Sequence, residues 1–347
     1  MINTLKNKLA ELGTTRLVIL LFLVFLFVLA FFKDMALAGL FTDSILRIGR
    51  NGILVLALLP AVRGGTGLNF GLPLGILCGL VAMVLGMEFG IGGMLGFLFA
   101  IGLASLLACV VGYFYGVLLN YVKGDEMTVG TYMGFATVSL MCIFWTAAPF
   151  SNRELVWTIG GKGLRTTISL ENFYLKILDN FLSFSIGDFH FPTGLILFFA
   201  LMCGLVLLFF KTKTGLKIMA SGENPDCARA SGVSANTARI QATIFSTVLA
   251  AIGIVVYNQS FGFVQLYNAP LLMAFSLIAC LLIGGGSVKS ATIFNVVFGT
   301  IVFQTLLTIA LPVTSQYIEG DISEVARVII SYGIILYALT ALNTKSE

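Results

Sequence analysis

Side chains able to do bond chemistry are few in this sequence. His190 is the one histidine, and no cysteine or aspartate framework surrounds it. Cys78, Cys109, Cys142, Cys203, Cys227 and Cys280 are spaced neither as metal ligands nor as a disulfide framework, and they read as small packing residues. Gly64-Gly65-Thr66-Gly67 is glycine-rich, but no Gly-Lys-Ser/Thr follows, so it is no nucleotide-binding loop. Carboxylates stand in loops or at the ends of apolar runs, as Glu88 and Glu324 do. An ion-coupled carrier would need them inside the membrane. No catalytic set, metal site or cofactor is expected. What remains are amides within or beside apolar runs: Asn69 (with Phe70 beside it), Asn258, Gln259, Asn295 and Gln304. Each of the last four is either glue between helices or the lining of a solute pathway, while Asn69 and Phe70 belong to the stretch 64–73, either a pathway-lining helix break or a plain loop. The other candidate is one long polar segment with a positive excess, 211–239.

These residues call for transport or docking rather than catalysis, and the elements around them are hydrophobic. Of 347 residues, 58% are hydrophobic and 10% charged, against about 25% charged in soluble domains. The class is an all-α integral membrane protein, with 1–347 a single polytopic unit. The net charge of +4 gives no support to nucleic-acid binding. Apolar runs predict an uncleaved first span over 17–32, then spans near 44–62, up to Glu88, over 93–121, 127–148, 191–210, 240–257, 270–283, 291–311 and 324–342, about ten in all. Most Lys and Arg outside the spans then fall on one side, among them Lys6, Arg63, Lys123, Lys211, Arg239, Lys289 and Lys345. That side and both termini are expected in the cytoplasm. The longest polar segment on the other side, 149–190, is then extracytoplasmic.

Within 211–239, Gly215 is expected to end the preceding span and Ser221 to Pro225 to form a turn. Pro225 suits the first turn of a short helix, with Asn224 as its cap. Gly232 stops that helix, and Ser234 or Asn236 caps the next one near Thr237. Ala228 and Ala230, flanking Arg229, would let another surface approach closely.

Glycines and Pro73 in 64–73 would interrupt a membrane helix, and broken helices line pathways in transporters. Gly92 with Gly96, and Gly112 with Gly116, predict close helix crossings. Phe173, Ile177, Phe181 and Phe184 suggest an amphipathic helix on the outer membrane face. Arg47 and Arg50 share a helix face and are expected to snorkel. Arg327 is expected to pair with Glu324 or Asp321 at an interface.

The run Gly222-Glu223-Asn224-Pro225, followed by Ala228-Arg229 and Gly232, resembles the coupling loop of ABC importer permeases of the branched-chain amino acid, ribose and nucleoside type. The weaker likeness extends over roughly 45–340. Arg63 to Gly71 is similar to the Gly-Gly-Ile-Asp-Leu-Ser stretch of sugar permeases, departing from it at Asn69. Ile283-Gly284-Gly285-Gly286-Ser287 is similar to a glycine turn of the family's second half. The resemblance implies ten spans and a bacterial plasma-membrane permease subunit working by alternating access, with a simple sugar as solute. A purine nucleoside is the alternative. It also implies a separate cytoplasmic ATPase, an extracytoplasmic binding protein and a second permease subunit. Gly222, Glu223, Asn224, Pro225, Ala228, Arg229 and Gly232 would then meet the ATPase.

Overall fold

In lipid every backbone donor and acceptor must be satisfied internally, which forces apolar runs of this kind into helices. The computed structural model describes residues 14–33, 35–157, 163–187, 189–317 and 333, and the helices there follow the apolar runs closely. They are α1 (Thr14–Phe32), α2 (Leu37–Leu56), α3 (Leu58–Arg63), α4 (Leu72–Glu88), α5 (Gly93–Tyr121) and α6 (Glu126–Ala147). After a polar segment come α7 (Ile177–Asn180), α8 (Thr193–Lys211), α9 (Lys213–Glu223), α10 (Pro225–Ala230), α11 (Ala235–Phe261), α12 (Ala269–Ile283) and α13 (Ile293–Tyr317). Among the described residues six helices are long and apolar enough to cross a membrane: α2 with α3, α5, α6, α8, α11 and α13. Leu17–Phe32, α4 and α12 are apolar but shorter. The span over 324–342, apart from Gly333, lies outside the described residues, as do Arg327, Glu324, Asp321, residues 1–13 and the end of the chain.

The chain runs back and forth between two ends. One carries residues 149–190 and is termed the loop end. The other carries 211–239 and is termed the basic end. Helix α11 runs from one to the other through the centre, packed on α5, α4 and α2. Small residues make that possible. A β-carbon on Gly112 would lie 2.9 Å from the Ile244 α-carbon, and one on Gly116 would lie 3.0 Å from that of Ile240. The Gly112/Gly116 pair thus forms the crossing its spacing predicts. Gly75 and Gly79 do the same for α4, facing the backbone of Thr247 and Ala251. Gly92 and Gly96 do not: their neighbours are Phe173 and the Ile91 carbonyl, so they make a tight entry to α5.

Residues 149–190 contain no amphipathic helix over 173–184. Among the described residues there only one helical turn, α7, forms, and Phe184 starts a strand. β2 (Phe184–Ile186) and β3 (Phe189–Phe191) pair as an antiparallel hairpin through Gly187. β1 (Thr167–Ser169) pairs antiparallel with β4 (Phe263–Gln265), Ile168 opposite Val264, both buried. Glu88 holds the start of the segment by accepting from the backbone of Ser151 (2.8 Å) and Asn152 (3.2 Å).

Candidate functional site

The basic end is built from the turn after α8. The Thr212 hydroxyl accepts from Gly215 N at 3.2 Å and caps a new helix, α9. Gly215 therefore lies inside a helix, and the preceding one ends at Lys211. Ser221 to Glu223 form the last turn of α9 rather than a loop. Ile218 and Ser221 are buried against the bundle. The chain breaks only at Asn224, whose extended backbone lets its side chain accept from Asp226 N (3.1 Å) and Cys227 N (3.0 Å). This is the predicted cap of α10. Gly232, at φ 77°, ends α10: its N–H donates to the Arg229 carbonyl and that of Val233 to the Ala228 carbonyl, each at 2.9 Å. That pair of bonds is the Schellman termination, which needs a left-handed residue. Ser234 caps α11, which starts at Ala235.

Most of α10 is exposed, including Pro225, Arg229 and Ala230, and so are Glu223 and Asn224 before it. Ala228 is 4% exposed, turned into the chain's own surface, so of the two alanines only Ala230 faces outward. Asp226 and Arg229 pair at 3.1 Å on this outer face, an exposed contact worth little.

Behind α10 lies the break. Helix α3 stops at Arg63, and Gly64 to Gly71 is irregular, with Gly65 and Gly67 both at φ 73°. Pro73 sits in the first turn of α4. The predicted interruption is present. Its polar side chains bond inside the bundle. Asn69 donates to the Ser246 hydroxyl (2.9 Å) and accepts from the Tyr115 hydroxyl (3.1 Å), and Ser246 donates to the Ala57 carbonyl (2.7 Å). Ser246 is eleven residues into α11, about 16 Å from its start at 1.5 Å per residue. The break thus reaches well into the bundle.

The break and α9 touch backbone to backbone. A β-carbon on Gly222 would collide with the Arg63 carbonyl oxygen, and one on Gly65 would lie 3.1 Å from the Gly222 α-carbon. The Arg63 side chain reinforces the joint. Its Nε donates to the Ala291 carbonyl (2.9 Å), Nη1 approaches the Met219 sulfur (2.9 Å), and the guanidinium lies 5.2 Å from the Phe210 ring centre. Arg63 therefore ties α3 to α8, α9 and the α12–α13 turn. Counted by sequence only as a charge, it gave no local signal, because its partners are remote.

The other candidate amides are dispersed. Asn295 donates to the Gly284 carbonyl (2.8 Å) and caps α13 by accepting from Thr292 N, joining α12 to α13 at the basic end. Gln304 is buried, its amide 3.6 Å from the Cys280 sulfur. Asn258 is buried against the Met83 sulfur at 3.4 Å. Phe70 is half-buried, its ring centre 6.0 Å from that of Phe275. Gln259 is at the loop end. Its side-chain amide donates to Asp179 Oδ1 (3.3 Å), and its side-chain carbonyl accepts from Leu178 N (3.2 Å). Ser260 donates to the other Asp179 oxygen at 2.8 Å. Asp179 is 2% exposed, and burial raises its pKa, opposed by Ser260, Gln259, Lys176 and Arg50. Arg50 does not simply snorkel: its guanidinium lies 5.4 Å from the ring centres of both Tyr257 and Phe261.

A bundle with leucine and phenylalanine exposed along α5, α6 and α8, and polar bonds gathered at its two ends and one interior break, is a multi-pass membrane protein. The family it falls in is narrower. The model of the family described as "Branched-chain amino acid transport system / permease component" matches residues 40–339, and the chain belongs to that family. It is 31% identical over 144 residues to the nucleoside ABC transporter permease protein NupB of Lactococcus lactis subsp. cremoris, covering 41% of this chain and 38% of that protein. It is 26% identical over 265 residues to the autoinducer 2 import system permease protein LsrC of Yersinia enterocolitica, covering 74% and 63%. LsrC of Yersinia pestis is also 26% identical, over 261 residues, covering 74% and 65%. The matches thus take in less than two-thirds of these relatives' lengths. No solved structure matches the chain.

Proposed function

We propose that the protein is the permease subunit of an ABC importer. A cytoplasmic ATPase would dock on α10 and drive alternating access. The observation that carries this reading is the joint between Gly222 and the Arg63–Gly65 backbone. It puts α9, which leads directly into the exposed, doubly capped α10, in backbone contact with an interrupted membrane helix. A push on α10 has a short rigid route to the break, where Asn69 and Phe70 are the candidate pathway residues. The ten-span topology, cytoplasmic termini, a partner permease and an extracytoplasmic binding protein seated on 149–190 belong to the same proposal. They draw support from family membership and from the charge asymmetry of the sequence.

The solute is a simple sugar on the general resemblance to the family, since residues 63–71 depart from the sugar-permease pattern at Asn69 and do not select it. A nucleoside is the second reading, favoured by the NupB relative. The LsrC relatives make autoinducer 2 a further compound to include in the assay. The test is reconstitution with an ATPase and a binding protein in vesicles, followed by uptake of labelled sugars, nucleosides and autoinducer 2. Uptake that needs ATP and stops in Gly232→Val, a residue whose φ of 77° strains any side chain, is the expected result. Uptake driven by an ion gradient without ATP would sink the proposal.

A further inference from the structure

A recess of about 150 Å³ opens beside α10 at the basic end. Its walls come from the break (Gly64, Gly65), the α5–α6 turn (Lys123), the end of α9 (Ser221, Gly222) and the starts of α10 and α11. Arg229 and Arg239 also face it. Each of these arginines has a carboxylate, Asp226 for the first and Glu126 for the second. Lys123 differs. Its ammonium donates to the neutral Asn236 Oδ1 at 2.8 Å, and no carboxylate pairs with it among the described residues. An ammonium has three donors, so two are left over.

Two further groups in the same walls lack partners. The Arg239 Nε is buried and unbonded, and so is the hydroxyl of Ser221, a residue only 3% exposed. Buried polar groups left unsatisfied are uncommon in folded proteins. Here two such groups, with the Lys123 ammonium, belong to residues around one opening whose lining carries a positive excess. The complementary ligand is an anion with several acceptor oxygens, small enough for this volume. A carboxylate on a short side chain fits, whereas a nucleotide is too large.

From this geometry we infer that the recess receives an acidic side chain of the cytoplasmic ATPase, with Lys123 as its unmatched counter-charge. This inference rests on the ABC permease reading above. It adds a second contact to docking on α10, of opposite shape: a socket in the permease beside a projecting helix. It also adds a consequence. Gly64 and Gly65 are both wall and break, so an inserted carboxylate would bear on the interrupted helix without passing through α10.

The experiment uses the full chain in nanodiscs with its purified ATPase, measuring binding as salt is raised. Lys123 is exposed, so its variants are expected to fold. Lys123→Glu should weaken binding roughly tenfold or more at low salt, since like charges face one another across the contact. Lys123→Ala should lose less, and both should converge on wild type as salt screens the pair. A scan of the ATPase's surface Asp and Glu residues, each changed to Lys, should then find one that restores binding to Lys123→Glu. Failure to find such an acid, or wild-type binding by Lys123→Glu when Gly232→Val binds poorly, overturns the socket and leaves docking on α10 standing. If Gly232→Val also binds normally, the ABC reading itself falls.

Discussion

The two ends of the bundle are held together by different means. At the loop end, a one-turn helix is fastened to the end of α11 by buried side chains, with both carboxylate oxygens of Asp179 taken by Gln259 and Ser260. Two short ribbons and the Arg50 stack on Tyr257 and Phe261 close the same region. At the basic end, the joint between α9 and the break is made by glycine backbones, and α10 stands exposed. A side-chain clamp in a dry environment resists opening, because separated partners are left unsatisfied. The glycine contact itself is backbone on backbone, with Arg63 as the side-chain tie beside it, and it admits no added volume. The contrast separates a fastened end from a transmitting one. It matches the proposal that force enters at α10 while the loop end holds α11 in place.

The largest effect that would test this contrast lies at Gly222. A Val there meets the Arg63 carbonyl and the Gly65 backbone, neither of which can rotate aside. Overpacking of this kind costs about 1–3 kcal/mol even where side chains can adjust, and here the obstacle is main chain. Gly222→Val should displace α9 and α10 together, abolish transport and leave residues 163–187 as protected from protease as in wild type. Parallel loosening of both ends would mean that they form one unit and that the contrast is false.

The next effect sharpens the loop end. Asp179→Ala leaves Gln259 and Ser260 without their acceptor in a buried site, and should lower stability by about 1–3 kcal/mol. A proteolysis midpoint of residues 163–187 reads it directly. Asp179→Asn adds the pH arm. The Asp179 pKa is raised by burial, so between the ordinary carboxylate range and its raised value the folded chain keeps a proton that the unfolded chain releases. The clamp should therefore strengthen as pH falls through the raised value and gain nothing more below the ordinary range. Asp179→Asn should remove this dependence. A wild-type clamp that weakens on mild acidification would contradict the assignment.

How much of this was legible in the sequence follows from range. The apolar helices among the described residues were legible because lipid demands long apolar runs, and Gly93–Tyr121 coincides with the predicted 93–121. The Asn224 cap and the Gly232 stop were legible because their chemistry is complete within a few residues. Helix α9 was missed: its glycine at 215 reads as a terminator, while the Thr212 cap that starts it is an ordinary turn residue. The strands were missed because three residues are too few to show a period of two. The Asp179 clamp and the Arg63 node could not be read at all. Asp179 and Gln259 are 80 residues apart, and Arg63 and Ala291 are 228 apart. Asn69 stood out only as part of the interrupted stretch 64–73, and its bonds to Ser246 and Tyr115 were not legible because those partners lie 177 and 46 residues away.

The smallest predicted effect concerns Asn224, and it asks whether α10 must be rigid or merely present. Its side chain satisfies two donors at the start of a six-residue helix. So short a helix has almost no stability of its own. Replacing an Asn cap by Ala typically costs about 1 kcal/mol. In a long packed helix that would be absorbed. Here it falls on an element whose inward anchor is Ala228 and whose other end is held by two bonds at Gly232 and Val233. Asn224→Ala should therefore leave insertion and the loop end untouched and fray α10. Hydrogen exchange at Asp226 and Cys227 would show the fraying. Coupling should fall by a few-fold rather than vanish, since the Gly222 joint is intact. Asn224→Asp, which keeps the capping oxygen and adds a charge favourable at a helix start, should restore both exchange protection and coupling. If Asn224→Ala frays α10 while transport is unchanged, a rigid α10 is not what passes force to the break, and the basic end transmits through α9 alone.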